Sequence, residues 1–409
     1  MSKLKVAIIT SGYLPIPAVN GGGVETLMDY LINENETEQE LAVTVFSSFD
    51  AEAEIASKKY NQSSIHFVKT LSLIKGVDKM VYWFSRNVFK RANPTSYRYI
   101  FQRLSYIKKV GLFLASHEFD RVIIENSATL FGILKAKKNR QKYCGKYYFH
   151  MHNEVTNDFG YGEDIRNAKK IIGVSQYINS TMEQKFPEMK TEQFVVLKNG
   201  INQARFTARL TTLEKNKLRK QYSILDSDIV FMFSGRIAAE KGLLEALLAF
   251  EKADLANAKF IVVGSTFFMT TIKSQYHLAI DDLATKLKDR VIMVGFIPNN
   301  LLGMYYEIAD VCVLPSIWDE PAGLTMIEAL SIGKALITTN SGGIPEYIPA
   351  GSAVILDKDS PDFLSELAET MRLLYTDSSQ RELLQKAGLS LADTFSTTTM
   401  YKEFIKILE

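Results

Sequence analysis

The amino-acid sequence predicts an α/β protein made of two doubly wound, Rossmann-like domains. Three observations carry that expectation. Short apolar runs alternate with longer helical patterns almost throughout, which is the pattern of parallel βαβ units. The runs are apolar on both faces, as suits central strands covered by helices on either side. The chain has 409 residues, and at about 100–200 residues per domain that is enough for two.

In order, the strand candidates of the first half are 5–10, 42–47, 65–69, 121–125, 146–151, 170–174 and 194–197. Those of the second half are 229–234, 258–263, 290–294, 311–314, 335–338 and 353–356. Lys198-Asn199-Gly200-Ile201-Asn202 puts a turn dipeptide after a strand, so the linker falls there. The predicted domains are 1–200 and 201–394, followed by a helix, 395–409, that is able to pack back on the first domain.

Composition excludes several classes. Hydrophobic residues make up 46% and charged residues 23%, the balance of an ordinary globular chain rather than a disordered or collagen-like one. Two cysteines, Cys144 and Cys312, supply neither a disulfide framework nor a metal quartet, so a reducing compartment fits. No run reaches the roughly 18 apolar residues of a membrane span. The basic start Met1–Lys5 leads into an apolar run too short for a signal peptide. The expected location is the cytoplasm, peripheral at the inner membrane face.

Net charge is only +2, but its distribution is uneven. Between Leu71 and Lys109, Lys75, Lys79, Arg86, Lys90, Arg91, Arg98, Arg103, Lys108 and Lys109 meet a single acid, Asp78. Tyr82, Trp83, Phe84, Phe89, Tyr97, Tyr99, Phe101 and Tyr106 are interleaved with them. Basic and aromatic residues together suit an anionic membrane surface. Two ordinary amphipathic helices with their aromatics in the core would give the same pattern. No nucleic-acid motif accompanies the patch, so nucleic acid is not an expected partner.

Candidate chemistry sits after the strands. Gly21-Gly22-Gly23 follows the first strand and opens a helix, where glycines admit a ligand to the backbone and free N–H groups meet an anion. Its spacing is not G-x-G-x-x-G, and a plain tight turn explains it equally. In the second half, Ser234-Gly235-Arg236 follows the strand 229–234, and Glu240-Lys241-Gly242 starts a helix. Arg236 and Lys241 are therefore expected at a surface past a strand's carboxyl end, where open α/β sheets bind ligands, and two cations there suit a diphosphate. The sharpest phrase is Trp318-Asp319-Glu320-Pro321-Ala322-Gly323-Leu324-Thr325-Met326-Ile327-Glu328, set between a strand and a helix. Carboxylates so placed accept hydrogen bonds from sugar hydroxyls, and the helix N-terminus faces a phosphate.

With its flanking phrases this segment resembles the retaining GT-B glycosyltransferases of family 4 (glycosyl transferases group 1). The shared phrases run in order: Gly21-Gly22-x-x-Glu25, Val174-Ser175, Lys198-Asn199-Gly200-Ile201, Gly235-Arg236-x4-Lys241-Gly242, Val263-Gly264, Val294-Gly295-Phe296, Glu320-x7-Glu328 and Gly342-Gly343-Ile344-Pro345-Glu346. The resemblance is strongest from about 195 to 350 and thinnest from 50 to 120. It implies a GT-B fold, two Rossmann-like domains facing across a cleft, the first on the acceptor side and the second binding the nucleotide sugar. The implied activity is transfer of a hexosyl-type sugar from a nucleotide diphosphate to an acceptor hydroxyl, with retention, in cell-surface polysaccharide synthesis. Its acceptor would be a lipid-linked or other glycan.

The resemblance also implies roles. Arg236 and Lys241, with the amides at Gly323, Leu324 and Thr325, would stabilise the leaving diphosphate, beside Gly22, Gly23 and Gly235. Glu320 would hold hydroxyls of the transferred sugar and Glu328 the ribose. The family's His-Asp pair appears here as His152-Asn153-Glu154, which carries the sugar-side role to His152 and leaves His150 structural. Ala322 stands where the family often has Phe. No cofactor or metal is expected. Asp226-Ser227-Asp228 precedes a strand and reads as a turn, and Asp357-Lys358-Asp359 falls in a surface loop after the nucleotide phrase. Two rivals stay open: another enzyme on this fold, such as a nucleotide-sugar epimerase, and a non-catalytic scaffold.

Overall fold

A computed structural model describes residues 3–89, 98–204, 210–265 and 274–409. The chain divides into two compact units, the first comprising Met1–Gly200 with Met400–Glu409 and the second Ile201–Thr399.

The first unit is a parallel sheet of seven strands among the described residues. They are β1 (Leu4–Ile9), β2 (Leu41–Ser48), β3 (Ser63–Val68), β4 (Arg121–Glu125), β5 (Tyr147–Met151), β6 (Lys170–Gly173) and β7 (Phe194–Val196). Their order is β3-β2-β1-β4-β5-β6-β7, so β1 and β4 are neighbours although not consecutive. Chain direction through the sheet reverses between them, which makes a crevice at their carboxyl ends. Every residue of β5 is buried, whereas the edge strand β7 is half-buried along its length. Burial on both faces is why the central runs read as continuously apolar.

The second unit repeats the plan with β8 (Ile229–Ser234), β9 (Ala258–Val263), β10 (Val291–Gly295), β11 (Val311–Leu314), β12 (Ala335–Thr339) and β13 (Val354–Leu356). The order is β10-β9-β8-β11-β12-β13, with the reversal between β8 and β11. Against this sheet the helix Leu243–Ala253 buries Leu243, Ala246, Leu247, Phe250 and Ala253, the three-and-four spacing of one helical face.

At its end the chain returns to the first unit. The helix Thr397–Leu408 buries Met400, Tyr401, Phe404 and Leu408. Tyr401 donates its hydroxyl proton to Asn35 Oδ1 at 2.7 Å, and Arg121 Nε donates to the Leu408 carbonyl at 2.7 Å. Among the described residues no helix is long and apolar enough to cross a membrane.

Helices Ser72–Asn87 and Ile100–Ser116 carry the basic, aromatic segment. Buried Asp78 joins them by accepting the backbone N–H groups of Phe101 and Gln102, both at 2.9 Å, at the second helix's open N-terminus. Trp83 is 55% exposed and Phe89 66%, and Phe84, Tyr99, Phe101 and Leu104 are exposed as well, while Tyr106 is buried. Aromatics in the core therefore do not account for this stretch. Arg103, counted with the basic patch, is buried. Lys90, Arg91 and Tyr97 lie outside the described residues.

Candidate functional site

The second unit gathers its chemistry where β8 and β11 end side by side. After β8 the backbone passes Gly235 at φ 145, packed so close to the next loop that a Cβ on Gly264 would stand 1.8 Å from the Gly235 carbonyl oxygen. Arg236 follows, half-exposed, its guanidinium 3.1 Å from Glu240. The turn then closes at Gly242, φ 72, where a Cβ would meet the Pro315 carbonyl oxygen at 2.0 Å. Only glycine lets the segment 239–242 lie directly on the loop that leaves β11.

That loop is held from below by a buried polar net. Thr339 Oγ1 and Ser341 Oγ both donate to the Ser316 carbonyl, at 2.6 and 2.8 Å. Gly343 N–H donates to the Glu320 carbonyl at 2.7 Å. Fixed in this way, Glu320 is only 4% exposed. Its Oε1 accepts from Ser316 Oγ at 2.8 Å and from Lys241 Nζ at 2.5 Å. The same ammonium lies 5.7 Å from the centre of the Trp318 ring. Lys241 is thus tied to a carboxylate and largely covered, not the surface cation that its sequence position suggests.

The helix Leu324–Ser331 begins at Gly323 with no side chain capping it, so its first N–H groups remain available to an anion. Glu328, further along, accepts from the Tyr306 hydroxyl at 3.2 Å. Tyr306 is fully buried, 2.6 Å from Ser234 Oγ and 3.3 Å from the Thr325 carbonyl. Burial, reinforced by Glu328, raises its pKa well above the ordinary tyrosine value. Ser316 and Tyr306 belong to this arrangement, and no local pattern marks either of them. A serine beside a proline and a tyrosine within a helix are unremarkable until strand order brings them together.

In the first unit, His152 lies just past β5, and its backbone N–H donates to Asn126 Oδ1 at 2.9 Å. Its Nε2 stands 3.0 Å from Glu125 Oε2, and His150 Nδ1 stands 3.2 Å from the same carboxylate. All three residues are buried. Burial alone would raise the pKa of Glu125, but the charge of His150 and hydrogen bonds from both imidazoles outweigh it and bring it down to about 2. Burial, followed by the charge of His150, lowers that of His152. An ionised carboxylate only accepts, so His152 donates to it from Nε2 and turns Nδ1 to the other side of the ring. That Nδ1 is buried without a partner among the described residues. His150, read from sequence as structural, shares the carboxylate that orients His152.

Glu125, His150 and His152 offer ligand atoms within 4.8 Å of one another, and two imidazoles with a carboxylate are a donor set that divalent ions use. Asp357-Lys358-Asp359 is not such a set, since Lys358 pairs with Asp359 at 3.0 Å and lies 3.7 Å from Asp319. Asp228 accepts the Leu225 N–H at 2.8 Å within its turn.

Gly22 caps the helix Gly23–Glu38 at φ 107. A Cβ there would meet Glu25 Oε2 at 2.2 Å, so this carboxylate already covers the entry to the glycine-rich loop. Glu25 is buried, with Ser11 Oγ at 3.4 Å, and burial raises its pKa. The structure therefore gathers Arg236, Lys241, Gly235, Glu320, Gly323, Leu324, Thr325 and Glu328 in the second unit, and in the first sets His152 just past β5 and Gly22 and Gly23 at the start of the helix Gly23–Glu38.

Comparison with known proteins points to glycosyltransferases. Residues 214–390 match the family model of the glycosyl transferases group 1. Spore coat protein SA of Bacillus subtilis (strain 168) is 26% identical over 401 residues, covering 94% of this chain and 93% of that protein. The lipopolysaccharide 1,2-N-acetylglucosaminetransferase of Salmonella typhimurium is 28% identical over 244 residues, 58% of this chain and 59% of that protein. Among solved structures, Anabaena HepE in complex with UDP and glucose superposes with a TM-score of 0.73 at 17% identity, covering 99% of both chains.

Proposed function

We propose that this GT-B glycosyltransferase moves a sugar from a nucleotide diphosphate to an acceptor hydroxyl, with retention at the anomeric carbon and without a metal cofactor. The observation that carries the reading is the Lys241–Glu320–Ser316 network beside the uncapped helix start at Gly323–Thr325. Cations and aimed N–H groups stand together there, as a departing diphosphate requires. Binding of UDP by the structurally similar HepE supports a nucleotide diphosphate sugar as the donor.

In this reading Arg236, Lys241 and the amides of Gly323, Leu324 and Thr325 neutralise the leaving group. Glu320 holds hydroxyls of the transferred sugar, Glu328 holds the ribose, and Gly235 lets the backbone approach the donor. His152 is assigned to the sugar side of the donor, and Gly22 and Gly23 to the glycine-rich loop that receives it. No side chain acts as nucleophile. The acceptor attacks from the leaving-group face, a phosphate oxygen assists its proton, and fixed charge is the main catalytic device. The acceptor is a lipid-linked glycan, and the exposed aromatic and basic face of Ser72–Asn87 and Ile100–Ser116 brings the enzyme to an anionic membrane surface on the cytoplasmic side.

Chromatography of nucleotides after incubation with a panel of nucleotide diphosphate sugars tests the donor half. Release of free nucleotide diphosphate from one donor is expected. Its conversion to a second nucleotide sugar would make the chain an epimerase, and no change in any donor would remove the enzymatic reading.

A further inference from the structure

Arg103 is a buried cation without an anion. Its residue is 8% exposed, and among the described residues no Asp or Glu is one of the groups that act on it. None is hidden elsewhere, because the undescribed positions contain no acidic residue. Its partners are neutral. Nε and Nη2 donate to Thr129 Oγ1 at 3.1 and 2.9 Å, and the guanidinium lies over the Tyr13 ring, 4.7 Å from its centre. Nη1 is buried with no hydrogen-bond partner among the described residues. An arginine keeps its charge in a protein, and an unpaired buried charge is costly.

The groups around it are uncharged hydroxyls and aromatic rings. Thr129 Oγ1 and Ser127 Oγ are 3.0 Å apart, and between them the two hydroxyls have one proton to share and one to offer a ligand. Tyr13 follows β1, and Ser127 and Thr129 follow β4, so the group sits where sheet order reverses, the usual ligand crevice of such a sheet. Outward from it, the Tyr13 and Tyr99 rings are 6.1 Å apart, and exposed Arg98 lies 5.2 Å from the Tyr99 ring. Exposed Phe101 and Leu104 flank Arg103 on its helix. Anion-seeking donors at depth thus adjoin an apolar rim.

We propose that Arg103, with Ser127 and Thr129, forms the anion-binding end of the acceptor site and takes a phosphate or diphosphate group of the acceptor. The acceptor role rests on the glycosyl-transfer reading above, whereas the anion site rests on the geometry alone.

Calorimetric titration of the full chain tests it, with dihexanoyl phosphatidic acid, inorganic phosphate, uncharged dihexanoylglycerol and, separately, UDP. Phosphatidic acid should bind the parent and Arg236→Ala alike, and at least ten-fold more weakly to Arg103→Met. UDP affinity should be the same in the parent and Arg103→Met, so a failure to bind UDP at all indicts the donor reading and not this one. Inorganic phosphate binding as tightly as the lipid identifies a free phosphate group as sufficient, and lipid binding alone identifies a lipid headgroup. Arg103→Met should melt no lower than the parent, since it removes an unpaired charge, whereas a structural arginine would lower the transition. Arg103→Lys keeps the charge but loses the planar fork, and should bind at least three-fold more weakly. Equal binding by either variant, a lowered Arg103→Met transition, tight binding of the uncharged lipid, or binding of neither phosphatidic acid nor inorganic phosphate by the parent overturns the proposal.

Discussion

Lys241 Nζ stands 2.5 Å from Glu320 Oε1, so the cation assigned to the leaving group and the carboxylate assigned to the sugar neutralise each other. The pair links the start of one helix to the loop that enters another, across the switch point of the second sheet. A donor bound there would insert its diphosphate and sugar beside a preformed charge pair instead of two separate side chains. That coupling makes the two cations behave differently on mutation.

Arg236→Ala should lower turnover ten-fold or more, by loss of about 2–4 kcal/mol of charge stabilisation, and leave the melting temperature unchanged. Its side chain is 46% exposed and its Glu240 partner 36%, and such surface pairs contribute little to stability. Lys241→Ala should lower both, because it strands a buried carboxylate at a cost of about 1–3 kcal/mol. Thermal unfolding of the two variants side by side checks this. Equal transitions would mean that the Lys241–Glu320 pair does not support the loop.

Tyr306→Phe removes a buried hydroxyl shared among Ser234, Thr325 and Glu328. About 1–3 kcal/mol of stability should be lost through the unsatisfied partners, together with a few-fold loss of nucleotide diphosphate affinity as Glu328 loses its anchor. Glu328→Ala should weaken nucleotide diphosphate binding more strongly, and Glu320→Gln should leave it nearly intact while depressing transfer. Calorimetry with the free nucleotide separates the three. Identical affinities for the Glu320 and Glu328 variants would refute the division of roles.

Acid should destabilise the first unit in two stages. His152 has a folded pKa below its unfolded value near 6.5, so the unfolded chain binds more protons as pH falls through that value. Glu125, at about 2 in the fold against 4.5, contributes stability that is complete above 4.5 and lost as pH falls toward 2. Melting temperature measured from pH 8 to 3 should therefore begin to fall near 6.5 and steepen below 4.5. In Glu125→Gln the lower stage should shrink to what Glu36, whose pKa is also lowered, contributes. A flat profile across both windows would contradict the account of the cluster.

Most of the fold could be read in the sequence because buried parallel strands are apolar on both faces. All thirteen runs singled out by that pattern correspond to strands, usually within two residues at each end. The site was legible where its residues are contiguous, as in Glu320–Glu328 and Gly235–Lys241. It was not legible where strand order supplies the partner: Glu125 is 25 residues before His150, and Tyr306 is 72 residues after Ser234. Local patterning does not reveal that a helix will deliver a hydroxyl to a distant carboxylate. Ser72–Asn87 was legible only as two alternatives, exposed or packed, since an amphipathic stripe does not say whether a core awaits it.

Co-sedimentation with vesicles should show binding to anionic lipid at low salt, weakened by salt and absent with neutral lipid. Trp83→Ser with Phe84→Ser should lower it, as should Lys108→Glu with Lys109→Glu, since basic residues near such a surface contribute about 1 kcal/mol each. Retention of the parent in the supernatant with anionic vesicles at low salt would refute the membrane role of these helices.

Metal independence is tested by turnover after exhaustive EDTA treatment and after added Zn²⁺ or Mg²⁺. Unchanged rates are expected, because the cations of the donor site are side chains. Loss of activity on chelation with recovery on metal addition would instead assign an ion to the reaction, with Glu125, His150 and His152 as the first ligands to examine.

The most direct measurement is single-turnover release of nucleotide diphosphate from the donor that the panel identifies, comparing the parent with Arg236→Ala, with the anomeric configuration of the transferred sugar read by proton NMR. The account predicts rapid release by the parent, at least ten-fold slower release by the variant at saturating donor, and a product with the donor's own anomeric configuration. Equal rates, or an inverted anomer, would contradict it.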